Sequence, residues 1–305
     1  MTIHSLDILD LPVLYRYRGE AVSLDSARTL TRGNPLGAVG FMAYVNPRRH
    51  IYAAVSGDNG ATLFGGITHT RGESFGKLLY LAPSSNLEQP ALPALVEHLV
   101  AQAGSWGAFH VMAEVDEKSD AFAPLRMSGF SVYAWQRIWD ISSIAAGDSS
   151  KEWKRIQSVD LQGIQNLYHE IVPPLLQAVE STPKHATGLI CAEGDKCYIS
   201  ISSGIMGILL TPLIHPDTDK VGEKLTSLVN KLPNRRGRPV YICVRSYQTW
   251  LEPVLEDLGA RAGERQAVMV KHLAWMVKEE QALRAVQPAG VSVQPSRISR
   301  AETKK

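Results

Sequence analysis

The sequence contains few cysteines, no long hydrophobic run and almost no net charge. Its three cysteines, Cys191, Cys197 and Cys243, are odd in number and all lie in the second half, so they do not form a disulfide framework. No window approaches the roughly 18 uninterrupted apolar residues of a membrane-spanning helix, and the first residues lack the basic and apolar regions of a secretion signal. We therefore expect a cytoplasmic protein with reduced thiols and no membrane partner.

A net charge of +2 over 305 residues gives no overall electrostatic footprint for nucleic acid, so we expect no nucleic-acid partner. Several catalytic motifs are also absent: Gly-x-Ser-x-Gly, the Walker A pattern, His-Glu-x-x-His and Cys-x-x-Cys. The sequence therefore gives no support for a metal site or for a nucleophilic enzyme of these types.

What the chain does contain is an internal repeat. Residues 77–141 predict a strand, a helix, a strand, a short helix that ends at Gly129, and a strand. Residues 207–277 predict the same order, with Gly259 in the place of Gly129 and 130 residues beyond it. A repeat of this length indicates two similar α/β domains, because the units of a solenoid are much shorter.

The repeat predicts an α/β fold with a mixed sheet and two domains in tandem. We place the N-terminal domain at residues 1–141 and the C-terminal domain at residues 152–278. Residues 142–151 are small and polar, as expected of a linker. Residues 279–305 are rich in proline, serine and basic side chains, and we expect a disordered basic tail. The final strand is predicted at Val268–Val277.

The first half also predicts a strand at 38–45 and a hairpin between Ile51–Val55 and Ala61–Thr68. The turn of the hairpin ends in Asn59-Gly60, a pair typical of hairpin turns. Gly65-Gly66 inside the return strand predicts a bulge or a close backbone approach.

This order of elements, a helix, a hairpin and then the repeated unit, resembles the GNAT acyltransferase superfamily, here twice in tandem. Leu213–Asp217 resembles the end of the family's central strand. Asp219–Leu225 then occupies the place of the glycine-rich pyrophosphate loop. Leu125–Phe130 and Leu255–Ala260 resemble the closing segment of the family, in which glycine and an aromatic residue follow the last short helix.

The resemblance implies acetyl-CoA or another acyl-CoA as cofactor and an unidentified amine as acceptor. In such a site a helix N-terminus offers unpaired N–H groups to the pyrophosphate, and glycine lets the backbone approach it. The loop Pro83–Ala91 of the first half has no glycine and no basic residue, so the second half is the more favourable cofactor site. The predicted cofactor-binding residues are Ile214, Lys220, Val221, Gly222, Glu223 and Lys224.

The acyl-CoA-binding motifs are degenerate, and this leaves two functions open. The family often has a tyrosine four residues before the closing glycine, as the acid that protonates the leaving thiolate. This chain has Leu125 and Leu255 there, so no catalytic residue is assigned. One function is acyl-CoA-dependent N-acyl transfer to an amine, and the alternative is a non-catalytic GNAT-like scaffold or ligand- or partner-binding protein.

Three further features each have two interpretations. Glu114 is either a general base that faces the cleft or a carboxylate that faces solvent at a strand end. His215 carries an imidazole, a side chain that commonly transfers protons, but its position is also commonly an inert one. Arg235-Arg236-Gly237-Arg238 either contacts the CoA 3′-phosphate or is a solvated basic turn.

Overall fold

The computed structural model describes residues 2–7, 10–37, 49–58, 61–145, 153–180, 188–191, 196–232 and 235–273. The predicted strand at 38–45, the predicted tail at 279–305 and residues 146–151 of the predicted linker lie outside the described residues. Met1–Leu273 forms one compact unit.

The described strands form one mixed sheet, which contains one pair of neighbouring parallel strands in each half. The strands are β1 (Thr2–Ser5), β2 (Val22–Ser23), β3 (Arg49–Asp58), β4 (Ala61–Thr70), β5 (Phe75–Ala82), β6 (His110–Asp116), β7 (Ser131–Asp140), β8 (Trp153–Arg155), β9 (Leu189–Cys191), β10 (Cys197–Ser203), β11 (Ile208–Ile214), β12 (Val240–Arg245) and β13 (Arg261–His272). Their spatial order is β1-β3-β4-β5-β6-β13-β7-β12-β11-β10-β9-β8, and β2 pairs with β5.

The helices complete the repeat that the sequence predicts. They are α1 (Leu11–Arg16), α2 (Ser26–Arg32), α3 (Ala91–Ser105), α4 (Phe122–Met127), α5 (Leu161–Ile171), α6 (Pro174–Gln177), α7 (Val221–Lys231) and α8 (Leu251–Asp257). The order β5-α3-β6-α4-β7 recurs as β11-α7-β12-α8-β13, which confirms the predicted tandem α/β fold. None of the described helices has both the length and the apolar character that a membrane crossing requires.

The helix α3 shows how the apolar spacing produces this packing. Its residues Leu95 and Leu99 are fully buried against the sheet, as expected of apolar positions four apart on one helix face. A Cβ at Gly65 of β4 would lie only 2.6 Å from Leu99 Cδ1, so glycine admits the helix. The register between β4 and β5 shifts between Gly66 and Ile67, which confirms the predicted bulge.

The last strand of each half pairs with the other half, where the first half comprises the elements up to β7 and the second half those from β8. The strand β13 of the second half lies between β6 and β7, with Val268 opposite Glu114. The strand β7 of the first half pairs with β12, with Ile138 opposite Cys243. One continuous sheet therefore contains strands of both predicted domains. The predicted domain boundaries stay a prediction.

The predicted start of the final strand was wrong, because β13 begins at Arg261 rather than Val268. Residues 261–265 are exposed, so no alternation of apolar residues marks them as a strand. Their backbone nevertheless pairs with the end of β7, with Arg261 opposite Asp140.

In each half the two central parallel strands pair only at their beginnings. The pairing of β5 with β6 is described from Phe75 to Lys77, and that of β11 with β12 from Ile208 to Leu210. We call the unpaired region between residues 78–82 and 113–116 the first-half slot. The second-half slot is the corresponding region between residues 211–214 and 243–245.

Candidate functional site

The first-half slot is filled by the main chain of the protein itself. Strand β2 pairs with Tyr80 and Leu81 of β5. Next to it, the Leu24 N–H donates to the Leu79 carbonyl over 2.9 Å, and the Leu24 carbonyl accepts from the Glu114 N–H over 2.9 Å. The Leu24 side chain is 1% exposed and belongs to the core. An extended ligand therefore finds both strand edges of this slot already paired.

The loop at the end of the first-half slot also does not fit a pyrophosphate. The Ser84 N–H donates to the Glu20 carbonyl over 2.8 Å. The helix α3 follows Pro90, which has no N–H to offer. Together with the missing glycine and basic residue, these contacts agree with the sequence-based preference for the second half.

One side chain occupies the β11 edge of the second-half slot. Gln248 is 1% exposed. Its Nε2 donates to the Pro212 carbonyl over 2.9 Å, and its Oε1 accepts from the Ile214 N–H over 2.9 Å. Ile214 is one of the predicted cofactor-binding residues. Its N–H points into the slot, as expected of an unpaired strand edge, and it donates to the carboxamide of Gln248.

The other predicted cofactor-binding residues surround the start of α7. Lys220 precedes the helix with φ 53°, a left-handed conformation, and its Nζ lies 3.6 Å from Glu223 Oε2 at an exposed position. Lys224 instead folds back, and its Nζ donates to the Asp219 carbonyl over 2.7 Å. Lys220 and Glu223 are therefore accessible at this helix end, whereas Lys224 stabilises the preceding loop.

Gly222 and Val221 differ in their surroundings. Val221 is buried in the core of the second half. A Cβ at Gly222 would lie 3.7 Å from Val254 Cγ1 and 3.9 Å from Leu258 Cδ2, which are ordinary contacts. Packing within the protein therefore does not require glycine at this position.

A cavity of about 370 Å³ lies on one face of the sheet and is lined by both halves. It borders the second-half slot, because Pro212 lines the cavity while its carbonyl holds Gln248. The polar side chains of the lining include Lys77, Glu114, Gln136, Thr211, Arg245 and Tyr247.

Arg245 is the centre of a buried charge cluster in this cavity. Its Nη2 lies 3.6 Å from Glu114 Oε1, and its Nε lies 3.2 Å from Glu180 Oε1. Its Nη1 donates to the side-chain carbonyl of Gln136. Burial lowers the pKa of Arg245, but the neighbouring carboxylates outweigh burial and the pKa is raised, so the guanidinium stays charged.

Glu114 faces this cluster rather than solvent, which excludes the interpretation of a solvent-facing carboxylate. Its residue is 6% exposed, and one carboxylate oxygen accepts from the Ser26 N–H over 3.0 Å. Burial raises the pKa of Glu114, but Lys77, Arg245 and the Ser26 hydrogen bonds together hold it below its ordinary value. Glu114 is therefore an ionised partner of two cations and a poor proton acceptor.

Tyr247 contributes a phenol to the cavity. Its Oη donates to Glu180 Oε2 over 3.1 Å. Burial and the charge of Glu180 raise the pKa of Tyr247, so the phenol stays protonated at neutral pH. Sequence reasoning missed Glu180 and Arg245. The only signal was Arg245 itself, a charged residue that directly continues the apolar strand Val240–Val244.

His215 and the basic turn are bound to other parts of the protein. His215 Nε2 lies 3.2 Å from Glu170 Oε1, and its Nδ1 accepts from the Asp217 N–H. Arg235 Nη2 donates to the Ser142 carbonyl over 2.7 Å. These contacts give His215 and Arg235 structural roles at the positions where we considered chemical ones.

Comparison with solved structures places this architecture among known folds. A GCN5-related N-acetyltransferase from Sphaerobacter thermophilus superposes with a TM-score of 0.55 at 12% identity, over 89% of this chain and 95% of that one. A tandem GNAT protein from the clavulanic acid biosynthesis pathway superposes with a TM-score of 0.52 at 15% identity, over 90% of this chain and 99% of that one. No protein-family model and no curated protein matches the sequence. The chain therefore has the fold of the GNAT acetyltransferases, in the tandem form that the sequence predicts.

Proposed function

We propose that the protein is an acyl-CoA-dependent N-acyltransferase whose second half holds the cofactor and whose cavity holds the acceptor amine. The observation that carries the proposal is the pair of hydrogen bonds that the second-half slot makes with the side-chain amide of Gln248. The Pro212 carbonyl and the Ile214 N–H hold the carboxamide of Gln248. The pantetheine arm of CoA contains amides with the same donor and acceptor groups, so this strand edge fits it when Gln248 withdraws.

The start of α7 supplies the second part of the cofactor site. The backbone N–H groups of Val221, Gly222 and Glu223 lie in the first turn of an eleven-residue helix, where N–H groups and the helix dipole favour an anion. Lys220 adds an exposed positive charge when it leaves Glu223. The bound thioester supplies an activated acyl group, and the adjoining cavity places the amine beside it.

Tyr247 is the candidate proton donor in this arrangement. It lines the cavity and holds its proton at Oη. Glu180 accepts that hydrogen bond and orients the phenol. Tyr247 would thus take the role that Leu255 cannot fill.

The alternative is a non-catalytic protein that binds a ligand in the cavity. It is favoured by the occupancy of both slots, since β2 and Leu24 fill one and Gln248 fills the other. In that case Gln248 is a permanent part of the fold, and acyl-CoA does not bind.

Calorimetric titration of acetyl-CoA and CoA distinguishes the two functions. We expect about micromolar binding to the wild type, with one site per chain. The Gly222→Glu variant accommodates its Cβ beside Val254 and keeps the fold, but its carboxylate repels the pyrophosphate, and binding is lost. The Gln248→Ala variant, which frees the strand edge, binds more tightly than the wild type.

A matched control is Gly19→Glu, because a Cβ at Gly19 has no neighbour within 4 Å and lies in the first half. This variant keeps wild-type binding. If neither the wild type nor the Gln248→Ala variant binds acetyl-CoA at up to about millimolar concentration, the acyltransferase proposal is wrong and the ligand-binding alternative stands.

A further inference from the structure

Lys77 and Arg245, the two cations of the cavity lining, differ in the number of partners that their charged groups contact. Arg245 contacts Glu114, Glu180 and Gln136 through its three nitrogens. The Lys77 ammonium group makes no hydrogen bond to any residue that the structure describes, and its nearest carboxylate oxygen, in Asp25, is 3.7 Å from Nζ. An ammonium group carries three N–H donors. Lys77 therefore has donors to offer to a bound molecule, and it has one carboxylate within 4 Å, whereas Arg245 has two.

Lys77 is positioned to meet such a molecule. Its side chain lines the cavity and is 29% exposed, so the ammonium group is neither sealed in the core nor fully solvated. The attraction of Asp25 raises the pKa of Lys77 more than burial lowers it, and the group stays protonated. A partly desolvated ammonium without hydrogen bonds binds an anionic oxygen more strongly than an exposed one does.

The remaining lining favours a positive charge and an apolar body in the same molecule. Three carboxylates, of Glu73, Glu114 and Glu180, outnumber the two cations Lys77 and Arg245. Apolar side chains of the lining, including Phe75, Val172 and Val179, face the same space. A volume of about 370 Å³ lies near the lower end of the range for small-molecule pockets, and suits one small molecule.

We propose that the acceptor is a small amine that also carries a carboxylate, of the amino-acid type, and that Lys77 binds this carboxylate. This inference rests on the proposed acyltransferase function. Because Lys77 binds a remote group rather than the reacting atoms, it determines which amines enter the cavity. The Lys77 ammonium donates to the carboxylate, and the acidic lining attracts the protonated amine.

The test compares amino acids with the amines obtained by removing their carboxylate, such as phenylalanine with phenethylamine and leucine with isopentylamine. Acetyl-CoA is saturating, and CoA release is measured. With the wild type, KM for the amino acid is lower than for its decarboxylated partner by about tenfold or more, as one charge-assisted hydrogen bond predicts. In Lys77→Met the KM values of the two become equal, and KM for acetyl-CoA is unchanged. The Lys77→Arg variant keeps part of the preference.

The control is Lys118→Met, since Lys118 is 81% exposed and lies outside the cavity lining. Thermal unfolding of each variant shows whether it folds, and the shift in Tm with added amino acid reports binding without turnover. A wild type that is stabilised equally by the amino acid and its decarboxylated partner overturns the carboxylate inference. Failure of the acyltransferase proposal is a different result, namely no acetyl-CoA binding and no turnover of any amine.

Discussion

The slot of the first half is filled by consecutive main-chain residues, whereas that of the second half is filled by the end of one side chain. To empty the first slot, β2 must leave β5 and the buried Leu24 side chain must enter water. To empty the second, Gln248 must give up two hydrogen bonds, each worth about 1 kcal/mol net. Equivalent positions in a duplicated fold thus differ in how easily they open, and this favours ligand binding by the second half.

The largest effect is expected from breaking the ion cluster that joins the two slots. Glu114 carries the N–H that bonds Leu24 in the first slot, and Arg245 ends the strand that borders the second. Arg245→Met leaves Glu114 and Glu180 without their shared cation, and we expect a loss of about 3–5 kcal/mol in the free energy of unfolding, measured with urea. The exposed pair in Lys118→Met is the control and should lose less than about 1 kcal/mol. Equal losses in both variants would contradict the central role of Arg245.

The same cluster predicts a dependence of stability on pH. Because the pKa of Glu114 is lowered in the folded protein, its contribution is present above its ordinary pKa and is lost as the pH falls through the lowered value. Between about pH 5 and pH 3, the wild type should therefore lose more of its free energy of unfolding than Glu114→Gln does. Parallel curves for the two proteins would show that Glu114 has the same pKa in the folded and unfolded chains.

Weakening the occupant of the first slot should have the next largest effect. Leu24→Ala removes a side chain that is 1% exposed in the core, and we expect a loss of about 2–5 kcal/mol in the free energy of unfolding. The control Leu175→Ala changes a side chain that is 60% exposed, with an effect within about 0.5 kcal/mol. The stoichiometry of acetyl-CoA binding should stay at one per chain. A second binding site in Leu24→Ala would show that the first slot opens readily.

Weakening the occupant of the second slot should cost less stability and should strengthen the binding of acetyl-CoA. Gln248→Ala leaves the Pro212 carbonyl and the Ile214 N–H without their partner, at a cost of about 1–3 kcal/mol. Added acetyl-CoA should restore more stability to this variant than to the wild type, as measured by the shift in Tm. Gln102→Ala, at a partly exposed position of α3 outside both slots, serves as the control. If Gln248→Ala loses more free energy of unfolding than Leu24→Ala, the second slot is harder to open than the first, and the comparison is wrong.

The smallest effect is expected at Gly222. A Cβ there makes only ordinary contacts with Val254 and Leu258, so Gly222→Ala should stabilise the helix by up to about 1 kcal/mol. The same change at Gly65, where a Cβ would lie 2.6 Å from Leu99 Cδ1, should destabilise the protein by about 1–3 kcal/mol. Urea unfolding of both variants checks the two signs, and destabilisation by Gly222→Ala would show a packing requirement at this position.

The sequence predicted the features that depend on local pattern. The helix at α3, the hairpin with the bulge at Gly66, and the repeat whose short helices end near Gly129 and Gly259 follow from apolar spacing and from glycine. The missing glycine and basic residue in Pro83–Ala91 disfavour the first half as a cofactor site, and in the structure that loop is bonded to Glu20. The choice of the second half stays a prediction.

The features that the sequence did not predict depend on contacts between distant residues. Nothing local tells β7 to pair with β12 rather than with β6, because the same strand pattern suits either neighbour. Strand β2 has two residues, too few to show a period, although it places Leu24 between two central strands. The role of Gln248 likewise comes from bonds to Pro212 and Ile214, 36 and 34 residues away.

The exchange of final strands has a consequence for how the protein is made. While the chain is being synthesised, β6 has no neighbour on one side until residues 261–272 have emerged, because β13 pairs with it. An unpaired strand edge invites pairing with other chains, and domains made early in synthesis otherwise fold as units. The first half of this protein thus cannot complete its sheet until the last strand of the second half has been synthesised, and nascent chains truncated before Arg261 should aggregate or require a chaperone.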